Sequence, residues 1–255
     1  MIEKIAQAAK EAGQLILSQN YESEFVKEGH CNFVTSMDIK VQAFLQEKLT
    51  ALVPGSEFFA EEKENNALTD TPTWIVDPID GTMNFMRQRR CSAISIGYYE
   101  NKKPVKAVIY NPFADELFTA EEGKGAFLNG KPIHVSDTPY ENSLIAMGTS
   151  PYNSELADIS LKCAREFLLT GGDLRRCGSA AIELCDIACG RSDVFFEMIL
   201  SPWDFAAGVL IVREAGGVFD EFLEEKDVYD KKAAVLACNQ TCYKEAKAIL
   251  DRLAK

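Results

Sequence analysis

A chain of 255 residues with 47% apolar and 26% charged content has the make-up of a globular protein with a sizeable core. Its formal net charge of −12 argues against a nucleic-acid backbone as partner, and no apolar run is long enough to cross a bilayer. Eight cysteines without a CxxC pair, and no basic-then-apolar leader, predict reduced thiols in a cytoplasmic setting.

Ile2, Ile5, Ala9, Ala12 and Ile16 recur at helical spacing and predict an amphipathic first helix. Thr35-Ser36-Met37-Asp38 reads as a capping box. It opens a second helix with Val41, Leu45, Leu49 and Leu52 on its apolar face, stopped by Pro54-Gly55. Strands are expected over 57–60, 73–76, 92–99, 105–110 and 116–120, and Asn129-Gly130 is a hairpin turn signal. Past Val135 the rhythm changes. Strands over 143–147, 193–198, 218–222 and 233–237 alternate with helices over 156–169, 179–189, 203–215 and 241–253. Alternation of this kind predicts an α/β fold with a sheet covered by helices. The expected division is a β-richer half, 1–137, and an α/β half, 138–255, packed as one unit.

Thr73–Phe85, TWIVDPIDGTMNF, carries the most chemistry. An apolar strand runs into Asp77, and Asp80 follows one short turn later, with Pro78 restricting the connection. Two carboxylates that close repel unless a cation or a proton lies between them. Asp-Gly is also ordinary turn chemistry, so the pair alone does not decide. Three further features bear on it. Glu61-Glu62 stands at another strand exit, and Ser201-Pro202-Trp203-Asp204 places an acid at a helix start. Gly81-Thr82 supplies backbone N–H groups where the chain turns toward a helix, an arrangement that receives phosphate oxygens. Oxygen ligands with only His30 and His134 in the chain fit Mg²⁺ and not a zinc site.

Ala60-Glu61-Glu62, the stretch from Trp74 to Phe85 and Trp203-Asp204-Phe205-Ala206-Ala207-Gly208 together resemble the inositol monophosphatase family of Mg²⁺-dependent, lithium-sensitive phosphatases. The likeness extends from Lys27 and Val34-Thr35 to Leu236-Ala237-Cys238-Asn239. It implies a layered α+β sandwich of alternating helix and sheet layers, often a homodimer. It also implies hydrolysis of a small phosphorylated metabolite, inositol monophosphate first, with two to three Mg²⁺ ions per site. On this resemblance Glu61, Asp77 and the Ile79 carbonyl are ligands of a first ion, and Asp77, Asp80 and Asp204 of a second. Glu61 also reaches a third ion, near whose water shell Lys27 stands. Thr82 with Glu61 orients the attacking water, the Gly81 and Thr82 amides hold phosphate, and Ala180 and Glu197 border the inositol ring. Ala60 and Asn32 depart from the family pattern without removing a ligand.

Other readings stay open on residues alone. Cys185 to Arg191 matches the Cys-x5-Arg pattern of cysteine phosphatases, although it continues a helical apolar pattern that would use up the N–H groups such a loop needs. Glu197 is alternatively a strand end paired with Arg191. Relatives of the family also hydrolyse fructose 1,6-bisphosphate, 3′-phosphoadenosine 5′-phosphate or NADP, and Arg175 and Arg176 offer a local pocket for a second anionic group. Arg87, Arg89 and Arg90 are expected on a solvated helix face, and Trp74 and Trp203 are expected to pack behind the carboxylates that follow them.

Overall fold

The computed structural model describes residues 1–18, 25–29, 32–61, 68–151, 153–222 and 229–254, with the backbone alone over 25–29 and 32–33. In chain order the first elements are α1 (Ile2–Ser18), β1 (Phe25–Gly29), β2 (Asn32–Thr35), α2 (Ser36–Leu52), β3 (Glu57–Ala60) and β4 (Thr73–Asp80). Then come α3 (Thr82–Met86), β5 (Ala93–Glu100), β6 (Lys103–Asn111), β7 (Glu116–Glu121), β8 (Ala126–Leu128) and β9 (Lys131–Ile133). After a 3₁₀ turn at Tyr140–Asn142 follow β10 (Leu144–Met147), α4 (Ser154–Thr170), β11 (Asp173–Arg175), α5 (Ala180–Ala188) and β12 (Val194–Leu200). The last are α6 (Pro202–Glu214), β13 (Val218–Glu221), β14 (Ala233–Cys238) and α7 (Tyr243–Leu253). Every helix and strand expected from the sequence is present. The β1–β2 hairpin and the short β11 were not expected, and the helix expected after Gly81-Thr82 is the short α3.

Two sheets organise the chain. One has the order β3-β4-β5-β6-β7-β8-β9, with β3 and β4 parallel and the remaining pairs antiparallel. The other has the order β11-β10-β12-β14-β13, parallel on both sides of β10. Helices α1 and α2 cover the outer face of the first sheet, where Ile5, Ala9, Ala12, Val41, Leu45 and Leu49 pack on Trp74, Val76 and Ile96. Helices α5 and α6 lie between the sheets, and α4 with α7 closes the far face of the second. The expected sandwich of alternating helix and sheet layers is what the structure has.

The middle layer explains a sequence feature. From Phe205 to Val212 every residue of α6 is buried, so the helix is apolar all round because a sheet lies on each side. Truncating one of these side chains, Ile211→Ala for example, should cost about 2–5 kcal/mol. Polar contacts fix where α6 begins. Tyr99 Oη donates to the Ala206 carbonyl at 2.9 Å and Ser95 Oγ to the Trp203 carbonyl at 3.3 Å, so the helix start is tied to β5.

Strand β4 differs from expectation in a way that builds the site. It does not stop at Val76 but runs on to Asp80. Asp77 pairs with Ser95 and Asp80 with Ala93, so three steps along β4 match two along β5, which is a β-bulge. Residues three apart on a regular strand face opposite sides of the sheet; the extra residue brings both carboxylates to one side. Pro78, which has no N–H for the ladder, lies inside the bulge.

Candidate active site

The ends of β3, β4 and β12 and the starts of α3, α5 and α6 converge on one cleft of about 980 Å³. Glu61, Asp77, Ile79, Asp80, Gly81, Thr82, Ala180, Glu197 and Asp204 all line it, so the structure brings together the residues singled out in the sequence. Glu62, His30 and the Lys27 side chain lie outside the described residues.

Asp77, Asp80 and Asp204 form the tightest acidic group among the described residues, with one carboxylate oxygen of each within 4.8 Å of the others. Glu61, just past β3, is not in that group, but its charge acts on Asp77. Burial holds the Asp77 carboxyl well above the ordinary carboxylate range, and the charges of Glu61, Asp80, Asp204 and Asp38 push it further. Burial also raises Asp80 to about 6, against bonds from Ser179 and the Ala181, Ala180 and Gly81 amides that pull it down. Asp204 is pushed up to about 7 by burial and then by Asp80. The donors are all oxygen atoms and the anions crowd one another, which fits a site for a hard divalent cation.

Each aspartate is fixed by something besides its neighbours. Asp77 Oδ1 accepts from the Ile79 amide at 2.9 Å. Asp80 Oδ2 accepts from Ser179 Oγ at 2.5 Å and the Ala181 amide at 2.7 Å, which seats it on the N-terminus of α5. Asp204 closes the capping box of α6, its Oδ2 accepting from the Ser201 amide at 2.8 Å, with Pro202 opening the helix.

The Gly81-Thr82 turn lies beside this group. Gly81 takes φ of 86°, and a Cβ there would stand 3.0 Å from the Cys91 carbonyl oxygen and 3.2 Å from that of Gly178, so both backbone shape and space call for glycine. Asn84 pins the turn by donating from Nδ2 to the Cys91 carbonyl at 2.7 Å and the Cys177 carbonyl at 2.9 Å. Thr82 Oγ1 donates to the Ile79 carbonyl at 3.1 Å and to Asp38 Oδ1 at 3.3 Å. Asp38 was read from the sequence only as a helix cap. The cap is real, with Oδ2 accepting from the Thr35 amide at 2.8 Å, yet its other oxygen faces the Thr82 hydroxyl. Ser179, Arg176 and Lys232 also line the cleft. Ser179 was read only as the first residue of a helix, and for Lys232 the sequence gives no signal.

Several expectations are corrected. Arg191 does not pair with Glu197; it bonds Glu116 at 2.9 Å and approaches Asp186 at 3.4 Å. Arg87, Arg89 and Arg90 are exposed beyond the end of α3, Arg90 with φ of 58°, in a turn and not on a helix face. Trp74 does not pack behind Asp77. It faces the α1–α2 layer against Tyr98 and donates to Ser56 Oγ at 3.0 Å, because residues three apart before the bulge face opposite sides. Trp203 lines the cleft itself, 6.1 Å from the Phe59 ring. The Cys-x5-Arg match is a helix and its C-terminal turn. The amides of Cys189, Gly190, Arg191 and Ser192 bond carbonyls of Cys185, Ile187 and Asp186, and burial pushes the Cys185 thiol up. No phosphate cradle exists there.

Comparison with known proteins agrees with this geometry. Residues 1–254 match the family model described as the inositol monophosphatase family. Inositol monophosphatase 3 of Solanum lycopersicum is 42% identical over 237 residues, covering 89% of this chain and 88% of that protein. The Nus factor SuhB of Escherichia coli K12 is 36% identical over 228 residues, covering 87% and 85%. The crystal structure of the extragenic suppressor protein SuhB from Bartonella henselae superposes with a TM-score of 0.90 at 33% identity, covering 98% of both chains.

Proposed function

The chain belongs to the inositol monophosphatase family, and on that footing we propose that it is a Mg²⁺-dependent phosphomonoesterase whose preferred substrate is inositol monophosphate. The observation that carries the reading is the trio Asp77, Asp80 and Asp204, gathered within 4.8 Å beside the Gly81-Thr82 turn. Glu61, Asp77, Asp80, Asp204 and the Ile79 carbonyl would hold the ions. When bound, Mg²⁺ neutralises phosphate charge, acidifies a water and steadies the departing alkoxide.

The remaining work falls to the chain's own groups. Thr82, its hydroxyl directed by Ile79 and Asp38, positions a water together with Glu61. The Thr82 amide, at the first turn of α3, has no intrahelical acceptor and is offered to phosphate. The Gly81 amide, which also helps hold Asp80 ionised, stands next to it. Glu197 and Ala180 lie across the cleft on the leaving-group side, where a carboxylate accepts hydrogen bonds from ring hydroxyls. Arg176 and Lys232 favour a second reading, in which the substrate carries a further anionic group, as fructose 1,6-bisphosphate does. A homodimer is proposed on family grounds and is tested by sedimentation.

The deciding experiment measures phosphate release from a panel of monoesters with Mg²⁺ and with EDTA, alongside thermal stabilisation by Mg²⁺ alone. Turnover should vanish in EDTA, and Mg²⁺ should raise the melting temperature. Full activity in metal-free buffer would sink the mechanism. A bisphosphate with higher kcat/KM than inositol monophosphate would favour the second reading.

A further inference from the structure

Glu197 lies on β12, and its carboxylate occupies a space that only glycine leaves open. The parallel register of β10 and β12 pairs Met147 with Phe196, and the Gly148 amide donates to the Phe196 carbonyl at 2.9 Å, so Gly148 comes next to Glu197. A Cβ on Gly148 would stand 1.9 Å from Glu197 Cδ, 2.0 Å from Oε2 and 2.3 Å from Oε1. No pair of unbonded heavy atoms tolerates such distances. Unlike Gly81, Gly148 has no left-handed backbone, so its conformation does not require glycine. The requirement is the space taken by the carboxylate.

The seat has a second wall. Beyond Gly148 the chain turns through Ser150, at φ of 44°, whose amide points to Glu197 Oε1 at 3.4 Å. Gly148, Thr149, Arg176 and Glu197 all line the cleft. Filling the seat would force the carboxylate elsewhere along the cleft wall.

We propose that Gly148 is a positioning residue that sets substrate preference, by keeping open the seat from which Glu197 accepts hydrogen bonds from a polyol leaving group. This rests on the reading of Glu197 as the hydroxyl acceptor. The substrate class it selects is a phosphate monoester of a sugar or cyclitol with free hydroxyls beside the ester, against esters whose leaving group has none.

A double-mutant cycle tests it. The variants Gly148→Ala and Glu197→Ala and the double variant are assayed in saturating Mg²⁺ with inositol 1-phosphate and with 4-nitrophenyl phosphate. The measured quantity is the ratio of the two kcat/KM values, which cancels general damage to folding or ion binding. Gly148→Ala is expected to lower that ratio by about ten- to hundred-fold, the usual cost of leaving buried hydrogen-bonding groups unpaired. In the Glu197→Ala background the same change should alter the ratio less than about two-fold, because the group it displaces is gone. A Gly148→Ala ratio equal to wild type, or an undiminished drop in the double variant, overturns the role of Gly148 while leaving Glu197 standing. An unchanged ratio in Glu197→Ala alone overturns the acceptor reading and this inference together. Should Gly148→Ala not fold by itself, recovery of a thermal transition in the double variant supports the steric seat, and failure to recover it refutes the seat.

Discussion

Asp77→Asn separates what the acidic group does for ions from what it does to the fold. Asp77 is 2% exposed, and its carboxyl is held well above the ordinary range first by burial and then by four neighbouring acids. The folded value is above the unfolded one. Its stabilising contribution is therefore complete below about pH 4 and disappears as pH rises through the folded value, leaving a penalty on the alkaline side. The penalty at pH 8 is bounded by the roughly four units between 8 and the ordinary aspartate value, about 5–6 kcal/mol. At pH 5 the bound shrinks to about 1–2 kcal/mol. Asparagine has no such penalty, and its carbonyl still accepts the Ile79 N–H that Asp77 accepts now.

Solvent entry and the variant's own buried amide discount that bound. A net gain of about 1–3 kcal/mol is expected without metal at pH 8, worth about 3–10 °C for a chain of this size. Thermal unfolding in EDTA at pH 8 and at pH 5 measures it. The variant should melt higher than wild type at pH 8 and close to wild type at pH 5. In millimolar Mg²⁺ the order should reverse, since the wild type binds more tightly and gains more from mass action. Most turnover should be lost under every condition. A variant that melts at or below wild type in EDTA at pH 8 would refute the picture of mutually repelling acids.

Three further substitutions probe other parts of the site. Asp38→Asn should lower kcat at least about ten-fold with little change in KM, and cost about 1 kcal/mol through the weakened helix cap; an unchanged kcat would reduce Asp38 to a cap. Cys185→Ala should keep phosphatase turnover within about two-fold, since its thiol is a buried helix residue; abolished activity in a folded variant would revive the cysteine mechanism. Glu197→Gln should lower kcat/KM for inositol monophosphate by about ten- to hundred-fold and for an aryl phosphate much less, and equal losses on both would make Glu197 structural.

Much of this was legible in the residues because period and punctuation were clear. The amphipathic spacing of α1 and the Pro54-Gly55 stop of α2 located those elements to within a residue or two. The length of β4 was not legible, because Asp-Pro in an apolar run reads as a strand ending. Only the pairing with β5 shows a bulge that carries the strand four residues further, to Asp80. Gly148 was equally silent. Nothing around it in the sequence distinguishes a glycine needed for backbone shape from one needed because Glu197, 49 positions later, lies against it. Long-range pairing of that kind has no local signature.

Asp38 and Asp204 show why a correct local reading still missed part of the site. Both are the third residue of a helix opened by a capping box, Thr35 for one and Ser201 for the other. In each, Oδ2 serves the cap, while Asp38 also turns its Oδ1 to the Thr82 hydroxyl and Asp204 also brings a carboxylate oxygen within 4.8 Å of those of Asp77 and Asp80. Asp80 reaches a third helix start, that of α5, through Ser179 and the Ala181 amide. A carboxylate at a helix N-terminus is favoured by the amides and the helix dipole, typically by 0.3–1 kcal/mol and by up to about 2 when partly buried. Three such placements offset part of the repulsion that crowds Asp77, so the acids can stay together in the absence of a cation. The residue pattern that announces a helix start is thus the same pattern that places a carboxylate at the cleft, as Asp204 is, or behind a residue lining it, as Asp38 is behind Thr82. Only the convergence of three helices on one point shows that the acids do both.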